Sequence, residues 1–112
     1  MRDERPRKRY KATREEWAAL HKVFIAERCW VCGGPWDDLH HILSRAHGGD
    51  DVVPNLASLC RNCHYLVTIR DARARALLRG ALMPSNLAYL ERRLSEDVRN
   101  WLDRTYPPAV AA

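Results

Sequence analysis

Two Cys-x-x-Cys pairs, Cys29/Cys32 and Cys60/Cys63, stand 27 residues apart (33–59) and account for all four cysteines of the chain. No other feature limits the fold as strongly. Four thiolates on one zinc ion complete a tetrahedral shell and leave no open position, which is the chemistry of a structural site. Such an ion would hold the turn at 29–35 against the start of a following element. The long interval between the pairs must then fold back on itself. Two disulfides are the alternative; in a reducing cytosol thiols persist, and this spacing favours metal. At 112 residues the chain has room for one domain and a modest core, to which a metal staple adds stability.

The frame encloses a second set of residues: His40-His41, Asn55 and, directly after Cys63, His64. Their chemistry differs from that of the frame. Imidazoles from two separate elements can share a cation and leave coordination positions for water and substrate oxygens. A neutral imidazole is also a competent base near pH 7, with an ordinary pKa of about 6.5. Side chains of adjacent strand residues point to opposite faces, so His40 and His41 must meet different partners. Asn55 can bridge the loop and hold the base in place. A single histidine reads best as a satisfied surface or core residue, whereas three with an asparagine inside a zinc frame read as a reactive site.

Charge is distributed unevenly. The formal net charge is +5, and residues 2–11 hold Arg2, Arg5, Arg7, Lys8, Arg9 and Lys11 against Asp3 and Glu4. A second basic series, Arg70, Arg73, Arg75 and Arg79, contains only Asp71 as an acid. Basic segments on either side of a metal site suit a polyphosphate, because each neutralised phosphate releases counterions. A solvated surface and a charged terminus fit equally well. No run of about 18 apolar residues occurs, so no membrane span is expected. The charged start of the chain lacks the apolar stretch of a secretory signal, and a cytoplasmic location is expected.

Caps and periodicity outline the elements. Thr13 and Glu16 form a capping box ahead of an apolar face of Trp17, Leu20, Phe24 and, offset, His21 and Ile25, which predicts a helix over about 14–28. Leu39–Leu43 and Leu56–Leu59 read as short strands around a Gly48-Gly49-Asp50-Asp51 loop. A helix from about Arg61 carries His64. Residues 71–79 read as helical, stopping at Gly80. Beyond Met83-Pro84, Ser85 can cap a last helical element with a stripe of Leu87, Leu90, Leu94, Val98, Trp101 and Leu102. The expected organisation is a basic arm over 1–12 and one domain over 13–106. Within the domain, a core of about 29–70 precedes C-terminal helices of about 71–104, and 107–112 forms a frayed tail.

The segment from Cys29-Trp-Val-Cys32 through Leu39-His-His-Ile-Leu43, the Gly-Gly-Asp loop and Asn55-Leu56 to Leu59-Cys60-Arg-Asn-Cys63-His64 resembles the HNH endonucleases. Specifically, it resembles the variant carrying two CxxC pairs. The resemblance implies an α+β fold: a ββα-metal (His-Me finger) core with a four-cysteine structural zinc, flanked by N- and C-terminal helices. It implies His40 and His64 as ligands of a catalytic divalent metal, His41 as general base, and Asn55 as the orienting asparagine. Cys29, Cys32, Cys60 and Cys63 would bind the structural zinc. DNA, double-stranded and recognised largely without regard to sequence, is the implied partner. In size the chain is similar to small stand-alone HNH proteins of phages and prophages, which makes packaging and other DNA-processing proteins candidate partners. Some family members place another histidine four residues after the one matching His64; here that residue is Thr68, which leaves Mg2+, Mn2+, Ni2+ and Zn2+ all open as the metal. Arg45 and His47, just beyond the histidine pair, are placed to contact phosphate or to be simply solvated. Two functions therefore stand: a metal-dependent endonuclease cutting DNA phosphodiesters, and a non-catalytic zinc module that binds nucleic acid or protein.

Overall fold

The computed structural model describes residues 8–109. Its fold is α+β: five helices around a two-stranded sheet. In order these are α1 (Arg14–Val23), β1 (Asp38–His41), β2 (Leu56–Leu59), α2 (Arg61–Thr68), α3 (Ala72–Ala81), α4 (Pro84–Arg93) and α5 (Val98–Thr105). The strands run antiparallel, pairing Asp38 with Leu59 and His41 with Leu56. Among the described residues no helix is long and apolar enough to cross a membrane.

Helix α1 begins at the expected capping box, with the Thr13 side chain on the Glu16 N–H and the Glu16 carboxylate on the Thr13 N–H. It ends at Val23, short of the expected residue 28. From Phe24 onward the chain tightens into three-residue turns, with Phe24 N bonded to His21 O, Ile25 N to Lys22 O and Glu27 N to Phe24 O. This change of pitch swings Phe24 into the core and leaves Ile25 78 % exposed, so Ile25 does not belong to the apolar face. Phe24, Leu39 and Leu56 form a small cluster against Trp17, Leu20, Trp30 and Trp36.

The larger core lies on the other side of the sheet, where Ala57 and Leu59 of β2 meet Val67, Leu78, Leu90 and Leu102 from α2–α5. Every residue of β2 is buried, because α1 packs against one face and the later helices against the other. Strand alternation then assigns the two histidines. His41 shares the α1 face with Leu39, and His40 shares the opposite face with Asp38.

The C-terminal helices depart from expectation in three places. Helix α3 continues through Gly80 to Ala81 and ends at an extended Leu82 (φ −63°, ψ 135°), just ahead of Pro84, which cannot continue a helix. Ser85 does not cap α4: Pro84 takes its first turn, and the Asn86 side chain accepts the Met83 N–H at 2.8 Å. The single last element is two helices, since Asp97 starts α5 by accepting the Asn100 N–H at 3.0 Å. The apolar stripe survives the break, with Leu90, Trp101 and Leu102 buried.

Candidate active site

The four cysteines come together as the spacing requires. Their sulfurs all lie within 4.8 Å of one another, and Cys32 Sγ stands 3.8 Å from Cys60 Sγ. A tetrahedron with Zn–S bonds of about 2.3 Å has an edge of about 3.8 Å, so the spacing suits zinc. The two pairs are built alike, with the Cys32 N–H directed at Cys29 Sγ and the Cys63 N–H at Cys60 Sγ. Burial works to raise the Cys29 thiol, but the surrounding backbone N–H groups outweigh it and bring it down to about 7. Cys63 is driven the other way by burial and by the neighbouring sulfurs. Four sulfurs this close could hold a metal ion among them, and they are the donor set of a structural site.

One frame ligand also positions the inner set. Cys60 caps α2, and this fixes the first turn on which His64 sits. The His64 ring lies 5.4 Å from the His40 ring, at 72° to it. His64 Nδ1 is 3.2 Å from Asp38 Oδ2, and His40 Nε2 is 2.9 Å from the Tyr106 hydroxyl. Each imidazole thus has one nitrogen engaged and the other uncommitted. Burial, reinforced by the charges of His64, Arg75 and His41, depresses His40 to about 3. It is therefore neutral at physiological pH, as a metal ligand must be.

His41 lies on the opposite face with different partners. Its Nε2 is 2.7 Å from Asp51 Oδ1, and its ring stacks on Trp17 with centroids 5.9 Å apart and planes 7° from parallel. A carboxylate can only accept, so His41 Nε2 carries the proton and Nδ1 the lone pair. Arg45 Nε, 3.5 Å from the same Nε2, cannot also donate to a protonated nitrogen. It acts there as a nearby charge, 3.9 Å from Asp51 Oδ1 and 5.6 Å above the Trp17 ring. Burial lowers the pKa of His41 while the Asp51 hydrogen bond opposes the shift. His47 turns away, its Nδ1 bonded to Ser44 Oγ at 2.6 Å.

Asn55 is wholly buried, and its side chain hydrogen-bonds the loop rather than the His41 ring. Its side-chain oxygen accepts the Leu43 N–H at 2.8 Å, and its nitrogen donates to Leu43 O and Asp50 O, both at 3.0 Å. It closes the 43–55 loop, while the His41 ring is oriented by Asp51. Asp51, which the sequence marked only as a loop residue, is therefore the carboxylate that orients the His41 ring.

Residues 29–68 match the HNH endonuclease family. No curated protein and no solved structure matches the chain. The HNH segment holds both CxxC pairs, both strands and α2, and so every site residue named from the sequence.

Residues outside the HNH segment complete its geometry. Arg9 bonds Asp51 and donates to Gly49 O, and the Ala12 N–H reaches Asp51 Oδ2 at 2.9 Å. Burial alone would raise the Asp51 carboxyl, but these donors and His41 hold it below its ordinary value. Asp50 accepts the Tyr10 N–H at 2.5 Å and the Tyr89 O–H at 2.7 Å, and it pairs with Arg93 Nε at 3.0 Å. Of the basic arm expected over residues 1–12, residues 1–7 lie outside the described residues, and the chain from Arg9 is bonded to the 49–51 loop. Asp38 had a local signal, since it sits two residues before His40 on the same strand face. Tyr106 and Arg9 had none, because only tertiary folding brings them here.

Proposed function

We propose that this chain is a metal-dependent endonuclease that hydrolyses phosphodiester bonds in DNA. The observation that carries the reading is the division of labour across β1: His40 and His64 converge with one nitrogen each uncommitted, and His41 is coupled to the Asp51 carboxylate. A divalent cation held by His40 and His64 would offset the charge that builds on the phosphate oxygens. His41 Nδ1 takes a proton from water as the water oxygen bonds to phosphorus and the P–O ester bond breaks. The leaving oxygen is then protonated by solvent. Asp51 keeps the imidazole in the competent tautomer and stabilises the imidazolium that forms. Arg45, 59 % exposed along its side chain, is placed to meet a backbone phosphate. The cysteine frame holds zinc and fixes α2, and with it His64.

The test is conversion of supercoiled plasmid to nicked or linear DNA with Mg2+, Mn2+ or Ni2+. His41→Ala should lose about 10²–10⁴-fold in rate while keeping its structural zinc and its affinity for DNA. His40→Ala should instead demand more metal and recover in part at high concentration. If His41→Ala cuts as fast as the parent at saturating metal, the base assignment is wrong. A parent chain that leaves the plasmid supercoiled with all three metals would instead be a zinc module that binds nucleic acid without cutting it.

A further inference from the structure

The Tyr106 hydroxyl meets two groups at once. It donates to Ile42 O at 2.6 Å and lies 2.9 Å from His40 Nε2. A carbonyl oxygen has no proton to give, and a phenol has only one. The Tyr106 proton is therefore committed to Ile42, and the contact with His40 requires that His40 Nε2 be the donor. From this geometry we infer that Tyr106 is a positioning residue: it fixes His40 as the Nε2–H tautomer and leaves Nδ1 as the nitrogen that takes the cation. This inference rests on the reading of His40 as a metal ligand.

The surroundings of Tyr106 are those of a fixed part. Its side chain is buried at the end of α5. The Arg75 guanidinium lies 4.8 Å above its ring, and Trp101 packs 5.8 Å away. Arg75 in turn donates to Val67 O at 2.9 Å and to Thr105 O at 2.5 Å, tying the end of α2 to the residue before Tyr106. The hydroxyl is thus located by three elements, none of which is β1. Groups that hold a metal-bound histidine by its other nitrogen set ring orientation and basicity, and losing one typically weakens metal binding 10–100-fold. His64 is the mirror case, since Asp38 engages its Nδ1 and leaves Nε2. The two histidines would then offer the cation different nitrogens.

Long-range 1H–15N spectra of 15N-histidine-labelled, full-length protein loaded with one equivalent of Zn2+ read the tautomer directly. His40 should show a protonated Nε2 and an unprotonated Nδ1, with the Nδ1 resonance moving as further Zn2+ is added. Tyr106→Phe keeps the ring and removes only the hydroxyl. It should give a mixture of His40 tautomers and bind the second ion about tenfold more weakly or worse, with the first zinc retained. A parent His40 protonated on Nδ1 overturns the inference, and this measurement stands even if the variant folds poorly. A folded Tyr106→Phe protein that binds the second ion as tightly as the parent also overturns it, leaving the metal site intact. A parent that takes no second ion at His40 and His64 removes the metal site itself, and the role of Tyr106 with it.

Discussion

Asp51 shows how much of the proposed chemistry depends on one side chain. It receives Arg9, the Ala12 N–H and His41 Nε2 on a carboxylate that is itself buried. Asp51→Asn keeps the shape but can present an amide N–H to His41, which favours the wrong tautomer. Cleavage should fall about 10²-fold or more, within the range of general-base effects, while zinc content and the cysteine frame are unaffected. Plasmid nicking beside metal analysis distinguishes this from unfolding. The same residue sets an acid limit on stability. Because the folded carboxyl titrates below its ordinary 3.8, its contribution is fully present above that pH. That contribution is lost as pH falls through the lower folded value. Thermal unfolding followed from pH 6 downward should show a steeper decline in the parent than in Asp51→Asn.

At the scale of elements, two glycines give opposite forecasts. A Cβ on Gly49 would stand 1.7 Å from Leu43 O and 2.9 Å from Asn55 Nδ2, so the loop closed by Asn55 has no room for one. Gly49→Ala should cost about 3 kcal/mol or more, at or beyond the usual range for overpacking. Gly80 lies inside α3 with nothing within 4 Å of its would-be Cβ, and Gly80→Ala should stabilise by about 1 kcal/mol. Denaturant midpoints of the two variants against the parent check both signs. Gly80 also marks a limit of reading elements from sequence. Its intrinsic penalty is small enough for the packed Ala74 and Leu78 face to carry the helix through it, whereas Pro84 imposes a steric stop that was legible. The Thr13–Glu16 box, the strand Leu56–Leu59 and the start of α2 at Arg61 were legible for the same reason: each is set by local chemistry. The split of the last helix at Asp97 was hidden because the apolar spacing continues unbroken across it.

For the whole molecule, the residues most exposed to argument from sequence were those inside the HNH segment, and apart from Asp38 and Asp51 the ones missed act from outside it. The cysteine frame and the histidines are chemical signatures that need no partner to be recognised. Tyr106, Tyr89 and Arg9 are ordinary residues whose roles come from contacts made across the fold. This bears on how DNA binding should be tested. Deleting residues 1–11 would also remove Arg9 from Asp51 and Tyr10 from Asp50, confounding charge with site geometry. Deleting only 1–7 removes Arg2, Arg5 and Arg7 and spares those contacts. If the three cations meet phosphates, the slope of log affinity against log salt should fall by up to about 0.9 per contact. An unchanged slope assigns them to solvent.

The clamp on residues 48–51 also has a kinetic meaning. Its bonds to Arg9, Tyr10, Tyr89 and Arg93 span sequence separations of 39 to 45 residues. Contacts of that range carry a loop-closure cost that must be met before they stabilise the fold. The Asp50 amide is held by Tyr89 Oη and the Asp51 amide by Tyr10 O, each at 2.9 Å, and neither can open without releasing a residue distant in sequence. In hydrogen exchange these two loop amides should therefore be as slow as those of β2, exchanging only when the molecule unfolds as a whole. A loop that exchanges like a core strand would keep the Asp51–His41 pair assembled for as long as the protein is folded.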